Sequence, residues 1–230
     1  MESRRRPPTV LITSYERNTR AVDHLLQSLR AVPEYDDLDI ILVIGGASSC
    51  DDEYEMRRDG NMTTVRVTHN SMDFTGLIAA LEIPELRRDR YFYIHDTTRV
   101  GPGLYTKLMS LPGDCETACF AFPSMNMGLY SWTALEHYRD LIMSYKTTEE
   151  STEVIQRLKH RCVDTEDAIF RNQITQGRYH VFLSRVPAPP SAPQDYYETG
   201  VPRVILQFPE IDMIKIKANW YGKSEYELGL

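Results

Sequence analysis

The stretch RYFYIHDT, residues 90–97, places a short apolar run directly before a polar turn. Its aromatic and branched side chains are typical of a buried strand. Further strands are predicted at 9–13, 38–44, 65–68, 118–122 and 179–183. Helical patterns come between or after them, at 25–32, 77–81, 102–111, 131–145, 148–161 and 166–174. Strands that alternate with helices predict an α/β fold in which a mostly parallel, Rossmann-like central sheet is flanked by helices.

The composition narrows the classes of function. The 230 residues are 42% hydrophobic and 26% charged, which is enough for a sizeable core. With 33 acidic and 26 basic residues the formal net charge is -7, so a broad basic face for nucleic acid is not expected. An acidic protein that binds a diphosphate must supply positive charge locally, from a cation, backbone N–H groups or a few Arg and Lys side chains.

Cysteine usage and hydropathy predict a cytoplasmic protein. The four cysteines are too few and too scattered for a disulfide scaffold, which favours reduced thiols. Residues 10–12 form only a short apolar run after the basic start, so no signal peptide is expected. No apolar stretch approaches the roughly 20 residues of a membrane span.

The chain is predicted to form one main domain, residues 1–186, with a donor half at about 9–112 and an acceptor half at about 113–186. A Pro-rich linker follows at 187–193. The remaining residues to 230 form an extension that packs on the same domain. It carries a small β appendage, with strands expected at 203–208 and 213–217.

Polar, small or flexible residues follow the predicted strands. Each of them alone would be an ordinary hydrophilic loop residue. Because the carboxyl ends of parallel strands meet at one edge of the sheet, where α/β proteins bind ligands, together they predict a nucleotide site. The candidates are Thr13, Ser14, Tyr15, Arg17, Gly45, Asn70, Asp73, Gly76, His95 and Asp96.

The order and spacing of these segments across residues 9–183 resemble the GT-A glycosyltransferases, in particular the inverting family-two type and its compact viral and bacterial domains. The resemblance implies a Thr/Ser loop for the nucleotide base after the first strand, a ribose segment around Asn70, and a metal motif at 95–97. It also implies the reaction, in which a sugar passes from a nucleotide-sugar donor to a hydroxyl of a glycan or another acceptor. A UDP-sugar is the favoured donor.

Asp96 is the metal ligand that this resemblance implies. A hard divalent cation, Mn²⁺ or Mg²⁺, would bridge its carboxylate to the diphosphate and assist the leaving group. The family motif commonly has two carboxylates, whereas this chain has only one in His95-Asp96-Thr97. His95 or His180 would then complete the ligand shell. The other interpretation of Asp96 is a residue that caps the following turn.

Asp167 is the catalytic base that the resemblance implies, with Glu166 as its substitute. An acidic pair that opens a helix supplies the base in the family, and a carboxylate near the acceptor hydroxyl would take its proton. Acidic residues in the first helical turn after a Thr165 cap also have an ordinary explanation, since they favour the helix dipole. Nearby, Tyr130 and Trp132 would either stack on a sugar or anchor the core.

Two alternatives stay open at this point. The single carboxylate of the metal motif allows a catalytically inactive, GT-A-like module that binds nucleotide-sugars. A sugar nucleotidyltransferase is less favoured, because the loop at residues 14–18 lacks the glycines that hold a triphosphate.

Overall fold

A computed structural model describes residues 6–47, 50, 52–120, 126–149, 151, 179–182 and 204–217, together with short pieces at 153–154, 157–158, 161–162 and 169–170. The strands are β1 Thr9–Tyr15, β2 Ile40–Gly45, β3 Tyr54–Asp59, β4 Met62–Val67, β5 Arg90–His95, β6 Thr98–Val100, β7 Thr117–Phe120, β8 Gly128–Ser131, β9 Tyr179–Phe182, β10 Val204–Phe208 and β11 Met213–Lys217. The helices are α1 Thr19–Arg30, α2 Thr75–Glu82, α3 Leu104–Ser110, α4 Trp132–His137 and α5 Arg139–Met143.

The main sheet of this described part has eight strands in the order β3-β4-β2-β1-β5-β8-β7-β9. The four strands from β4 to β5 are mutually parallel, and β9 is parallel to β7. The antiparallel members are β3 at one edge and β8 between β5 and β7. This arrangement confirms the predicted α/β fold with a mostly parallel central sheet.

Helices cover both faces of the sheet. Alternate residues of β1 point to opposite sides, so that Leu11 joins one core cluster while Val10 and Ile12 join the other. The first cluster holds the buried residues of α2, α4 and α5. The second holds those of α1 and α3. The connections that leave β1 and that enter β5 therefore use helices on opposite faces.

The strand order reverses between β1 and β5. From β1 the chain passes through α1 to β2 and then to β4, moving toward one edge of the sheet. It then returns through α2 and places β5 on the other side of β1. In open α/β sheets, ligands bind outside the carboxyl ends of the strands at such a reversal.

A second, smaller sheet has the order β10-β11-β6. It confirms the pair of strands predicted for the C-terminal extension. Ring centroids of Phe208 and Phe120 lie 4.5 Å apart, so the hairpin of β10 and β11 packs on the main core. Since β6 begins two residues after Asp96, the hairpin also pairs with the segment that follows this residue.

Two local expectations are corrected by the structure. The helix predicted to run from Ser131 to Tyr145 is divided at Tyr138, whose φ of -101° and ψ of 16° leave the helical region. Gly128–Ser131, directly before this helix, is strand β8, and its Tyr130 is fully buried. Tyr130 is therefore a core residue and does not stack on a sugar.

The search for membrane spans among the described residues finds no helix with the length and hydrophobicity to cross a bilayer.

Candidate functional site

The carboxyl ends of β1 and β5 are joined by side chains at the point where the strand order reverses. Thr13 on β1 is in register with His95 on β5, so Ser14 and Asp96 come next to each other. The Ser14 hydroxyl donates a 2.7 Å hydrogen bond to Asp96 Oδ2. The Asp96 backbone N–H donates to the carbonyl of Thr13 at 3.1 Å. We call the space outside these two strand ends the switch-point crevice.

Asp96 is a buried carboxylate that the surrounding residues hydrogen-bond. Its side chain and backbone are 5% exposed. The Asn18 amide, in the loop between β1 and α1, donates a second bond to the same Oδ2 at 3.0 Å. Burial raises the pKa of Asp96, while the Ser14 bond, the Lys215 charge and the Asn18 bond act in the opposite direction. Burial disfavours the charged form of this carboxyl group, and the hydrogen bonds from Ser14 and Asn18 offset part of that effect.

Lys215 brings a positive charge to the same place from the C-terminal hairpin. It lies on β11 opposite Thr98 of β6, and it is 3% exposed. Its ammonium group contacts the Thr97 hydroxyl. The pKa of Asp96 is raised less than burial alone would raise it, in part because this ammonium is close. A buried lysine therefore lies near the buried Asp96 directly after β5.

Two of the small predicted residues have a packing explanation. A Cβ on Gly76 would meet the Tyr93 ring at 2.8 Å, and the Gly76 N–H donates to Thr13 Oγ1 at 3.2 Å. A Cβ on Gly45 would lie 2.9 Å from the carbonyl oxygen of His69 and 2.8 Å from the Thr75 methyl group. Both glycines allow close approach of chain segments at the sheet edge, and their contact with a ligand remains a prediction.

Hydrogen bonds at Asn70 and Asp73 fix the conformation of the predicted ribose segment. Asn70 is buried, and its Oδ1 accepts from the N–H of Met72, whose φ is 50°, at 3.4 Å. Asp73 is half-buried, and its carbonyl accepts a 2.7 Å bond from the Tyr93 hydroxyl. The segment therefore lies at the same edge of the sheet as Thr13 and Gly76, as predicted. Its contact with a ribose stays a prediction.

His69 anchors this segment to the end of α5. Its Nδ1 lies 3.0 Å from Ser71 Oγ, and the N–H of Thr147 donates to the same oxygen at 3.4 Å. Burial, helped by the Lys146 charge, lowers the pKa of His69 to about 4, so the ring is neutral at physiological pH. His69 also lines a pocket of about 120 Å³ between β3, β4 and α2, away from the switch-point crevice.

The loop after β1 is largely open to solvent. Tyr15 is half-buried at the end of the strand, whereas Arg17 is exposed. Between them, Glu16 forms a 2.5 Å ion pair with Arg66 of β4 and covers the end of β2. His95 is buried, and its ring meets the Tyr93 ring edge-on at 5.7 Å.

The described residues do not fit a divalent-cation site by themselves. No group of three or more His, Cys, Asp or Glu side chains that could hold an ion occurs among them. Mg²⁺ and Mn²⁺ prefer several oxygen ligands, and Oδ2 of Asp96 already accepts two hydrogen bonds. The nearby Lys215 charge would in addition repel a cation.

The strand register argues against His180 as a partner of Asp96 on one ion. His180 is on β9 in register with Ala118, and β9 is three strands away from β5. Neighbouring strands are about 4.8 Å apart, so the two strands are separated by about 14 Å. A shared ion would have to span this separation, so the ligand role of His180 stays a prediction.

The predicted base lies outside the described residues. The structure does not describe Thr165, Glu166 or Asp167, so their roles stay predictions.

Trp132 is half-buried, and the Arg87 guanidinium stacks over its ring at 4.6 Å. This contact favours an anchoring role for Trp132.

The sequence gives no spacing argument for the place of two residues of the crevice, Asn18 and Lys215. Asn18 directly precedes α1, where an Asn is commonly a helix cap, so its sequence position does not indicate a bond to Asp96. Lys215 is 118 positions away from the Thr97 hydroxyl that it contacts, and no local spacing indicates this pairing.

Comparisons with known proteins give structural likeness only. No protein-family model matches the chain, and no curated protein matches its sequence. Among solved structures, it is similar to the glycosyltransferase GlyE of Streptococcus pneumoniae TIGR4, at 14% identity and a TM-score of 0.46, over 85% of this chain and 47% of GlyE. It is also similar to the galactosyltransferase LgtC solved with donor and acceptor sugar analogs, at 15% identity and a TM-score of 0.44, over 75% of this chain and 73% of LgtC.

The chain spans about half the length of the GlyE structures, 47% and 44% of them. At such identities and TM-scores these likenesses carry no argument about function. The α/β fold described above rests on the chain's own strand order and register.

Proposed function

We propose that the chain is a glycosyltransferase, which moves a sugar from a nucleoside diphosphate sugar to an acceptor hydroxyl. The observation that carries the proposal is the 2.7 Å bond between Ser14 and Asp96 at the reversal of strand order. This is the place where α/β sheets bind nucleotides. The sequence order of the strand ends, which resembles the GT-A glycosyltransferases, supplies the reaction class. A UDP-sugar is the donor that the resemblance favours.

In the proposed reaction, the acceptor oxygen attacks the anomeric carbon while the bond from that carbon to the diphosphate oxygen breaks. The acceptor proton passes to a carboxylate, and the nucleoside diphosphate leaves with the bonding electron pair. We assign the carboxylate to Asp167, with Glu166 as its substitute, on the sequence resemblance. Attack opposite the leaving group inverts the configuration of the sugar.

Asp96 has a positioning role in this proposal. By accepting bonds from Ser14 and Asn18, its carboxylate holds the loop after β1 against the end of β5. The Mn²⁺ or Mg²⁺ ion that the sequence resemblance implies remains a prediction.

The test is release of nucleoside diphosphate from a panel of UDP-, GDP- and dTDP-sugars. A transferase releases the diphosphate slowly even without acceptor, and Asp96→Ala should abolish this release. Asp23→Ala, which removes an exposed carboxylate from α1, is the matched control and should retain it. If wild-type protein releases no diphosphate from any donor, with or without Mn²⁺, the enzymatic proposal is wrong.

A second candidate is a nucleotide-sugar binding module without turnover. The burial of Asp96 and its bonds to Ser14 and Asn18 favour it, since these are also features of a purely structural carboxylate. A thermal-shift panel with the same donors separates the two candidates. Ligand at 100 times its dissociation constant adds about 2.7 kcal/mol of stability. A shift without release of diphosphate would identify the binding module.

A further inference from the structure

We propose that Lys215, carried by the C-terminal hairpin, supplies the positive charge that neutralises a diphosphate in the switch-point crevice, so that nucleoside diphosphates bind without a divalent cation. The inference rests on the proposed function and concerns the same crevice. It replaces the ion expected from the sequence with a side chain of the protein.

The hairpin is held in place by bonds to the segment that follows Asp96. The N–H of Ile216 donates to the carbonyl of Thr97 at 2.9 Å. At the other end of the pairing, the N–H of Gly101 donates to the carbonyl of Asp212 at 2.7 Å. The N–H of Gly103 donates to the Asp212 carboxylate, also at 2.7 Å. These bonds hold both ends of the pairing between β11 and β6, and they fix the position of Lys215 relative to the segment after Asp96.

Close packing reinforces this docking. A Cβ on Gly101 would lie 2.3 Å from the Asp212 carboxylate, so a side chain at this position would displace that carboxylate. Leu206, Phe208 and Met213 of the hairpin are buried in the core that also holds α1 and α3. The hairpin is thus part of the main core, and Lys215 is carried by an element that packs on it.

Lys215 supplies a positively charged hydrogen-bond donor at the end of β5. Lys215 is buried with its ammonium group at the Thr97 hydroxyl, close enough to Asp96 to stabilise the carboxylate. An ammonium group has three donors and imposes no coordination geometry, so it can share its bonds between Thr97 and phosphate oxygens. In a protein with a net charge of -7, such a local cation is what a diphosphate requires.

The test is calorimetric titration of the full chain with UDP, GDP and dTDP, in EDTA and again in Mn²⁺. We expect the affinity for the best nucleotide to differ by less than about threefold between the two conditions. Lys215→Met should weaken binding by about tenfold or more, because a charge-assisted contact is lost, whereas Lys215→Arg should keep most of it. Lys107→Met removes the same charge from the exposed side of α3 and should bind like wild type.

The outcomes separate this inference from the proposed function. Binding in Mn²⁺ that disappears in EDTA, with Lys215→Met as tight as wild type, would overturn the role of Lys215 and leave the proposed function standing. Absence of binding for all three nucleotides in both conditions would overturn the proposed function and the inference with it. The EDTA comparison needs no variant, so it decides the metal question even if Lys215→Met fails to fold.

Discussion

The Ser14 hydroxyl donates a 2.7 Å hydrogen bond to Oδ2 of Asp96, and this bond joins two strand ends that are 82 positions apart in the chain. Its acceptor is a buried side-chain oxygen, and leaving such an oxygen without a hydrogen-bond partner is costly. The bond connects the carboxyl ends of β1 and β5 at the point where the strand order reverses. It is therefore the contact on which both the stability and the proposed binding role of this edge depend.

Ser14→Ala should lower the free energy of unfolding by about 1–3 kcal/mol, because it removes one of the two hydrogen bonds to Oδ2 of the buried Asp96. The measurement is urea denaturation. Ser110→Ala is the control, since that exposed hydroxyl donates only to the carbonyl of Lys107 within α3. An equal, small loss in both variants would show that the Ser14–Asp96 bond contributes little to stability.

Asp96→Asn should change the pH dependence of stability in a defined direction. Burial raises the pKa of Asp96 above its ordinary value of 3.8, so the folded state binds this proton more tightly than the unfolded state. The contribution of Asp96 is fully present below that value and is lost as the pH rises through the raised pKa. The stability of wild type relative to Asp96→Asn should thus fall from acid toward neutral pH. A relative stability that rises over the same range would contradict the assigned burial.

His69→Gln should remove a contribution to the pH dependence of stability that is opposite to that of Asp96, because it lowers stability as the pH falls. The pKa of His69 is lowered from 6.5 to about 4. Between these two values the histidine is protonated in the unfolded chain and neutral in the folded chain. Wild type should lose about 2 kcal/mol relative to the variant between pH 7 and pH 5. Urea denaturation at the two pH values measures this difference. His137→Gln, on the exposed side of α4, controls for the loss of one histidine.

Gly76→Ala should destabilise the fold by about 1–3 kcal/mol, because the new Cβ would overpack the Tyr93 ring. The two side chains should be coupled, so that Tyr93→Leu relieves part of this cost in the double variant. Gly60→Ala serves as a reference, since Gly60 has a φ of 58° and no atom within 4 Å of an added Cβ. Its effect should simply add to that of Tyr93→Leu. Additive effects for Gly76 as well would contradict the packing explanation for this glycine.

Much of the fold could be predicted because buried parallel strands carry a strong local signal. The runs that became β1, β2 and β5 are nearly all apolar, and their ends are within two residues of the predicted ones. Strand β3, by contrast, was not predicted. Five of its six residues are exposed, so its sequence shows no alternation, and it exists only because it pairs with β4.

Short strands that depend on distant partners were also not predicted. Strand β6 has three residues and is extended because β11 lies beside it. Strand β8 inserts between β5 and β7, and Gly128 at its start has no side chain to suggest a buried strand. In both cases the pairing is tertiary, and no local propensity reports it.

The candidate site divides in the same way. Ser14 and Asp96 could be predicted, because each follows a recognisable strand and parallel strand ends share an edge. The place of Lys215 could not be predicted, because it depends on how the C-terminal hairpin docks. The hairpin is held by the bond from Gly103 to Asp212, and these two residues are 109 positions apart. Long-range docking of this kind changes the charge of a site without leaving a pattern near it.

The most direct test of the central claim is a crystal structure of the chain with UDP bound in the presence of EDTA. We expect the diphosphate to lie outside the carboxyl ends of β1 and β5, with a phosphate oxygen within hydrogen-bond distance of Lys215 Nζ. A nucleotide bound elsewhere on the protein, or a crevice left empty at saturating UDP, GDP and dTDP, would contradict it.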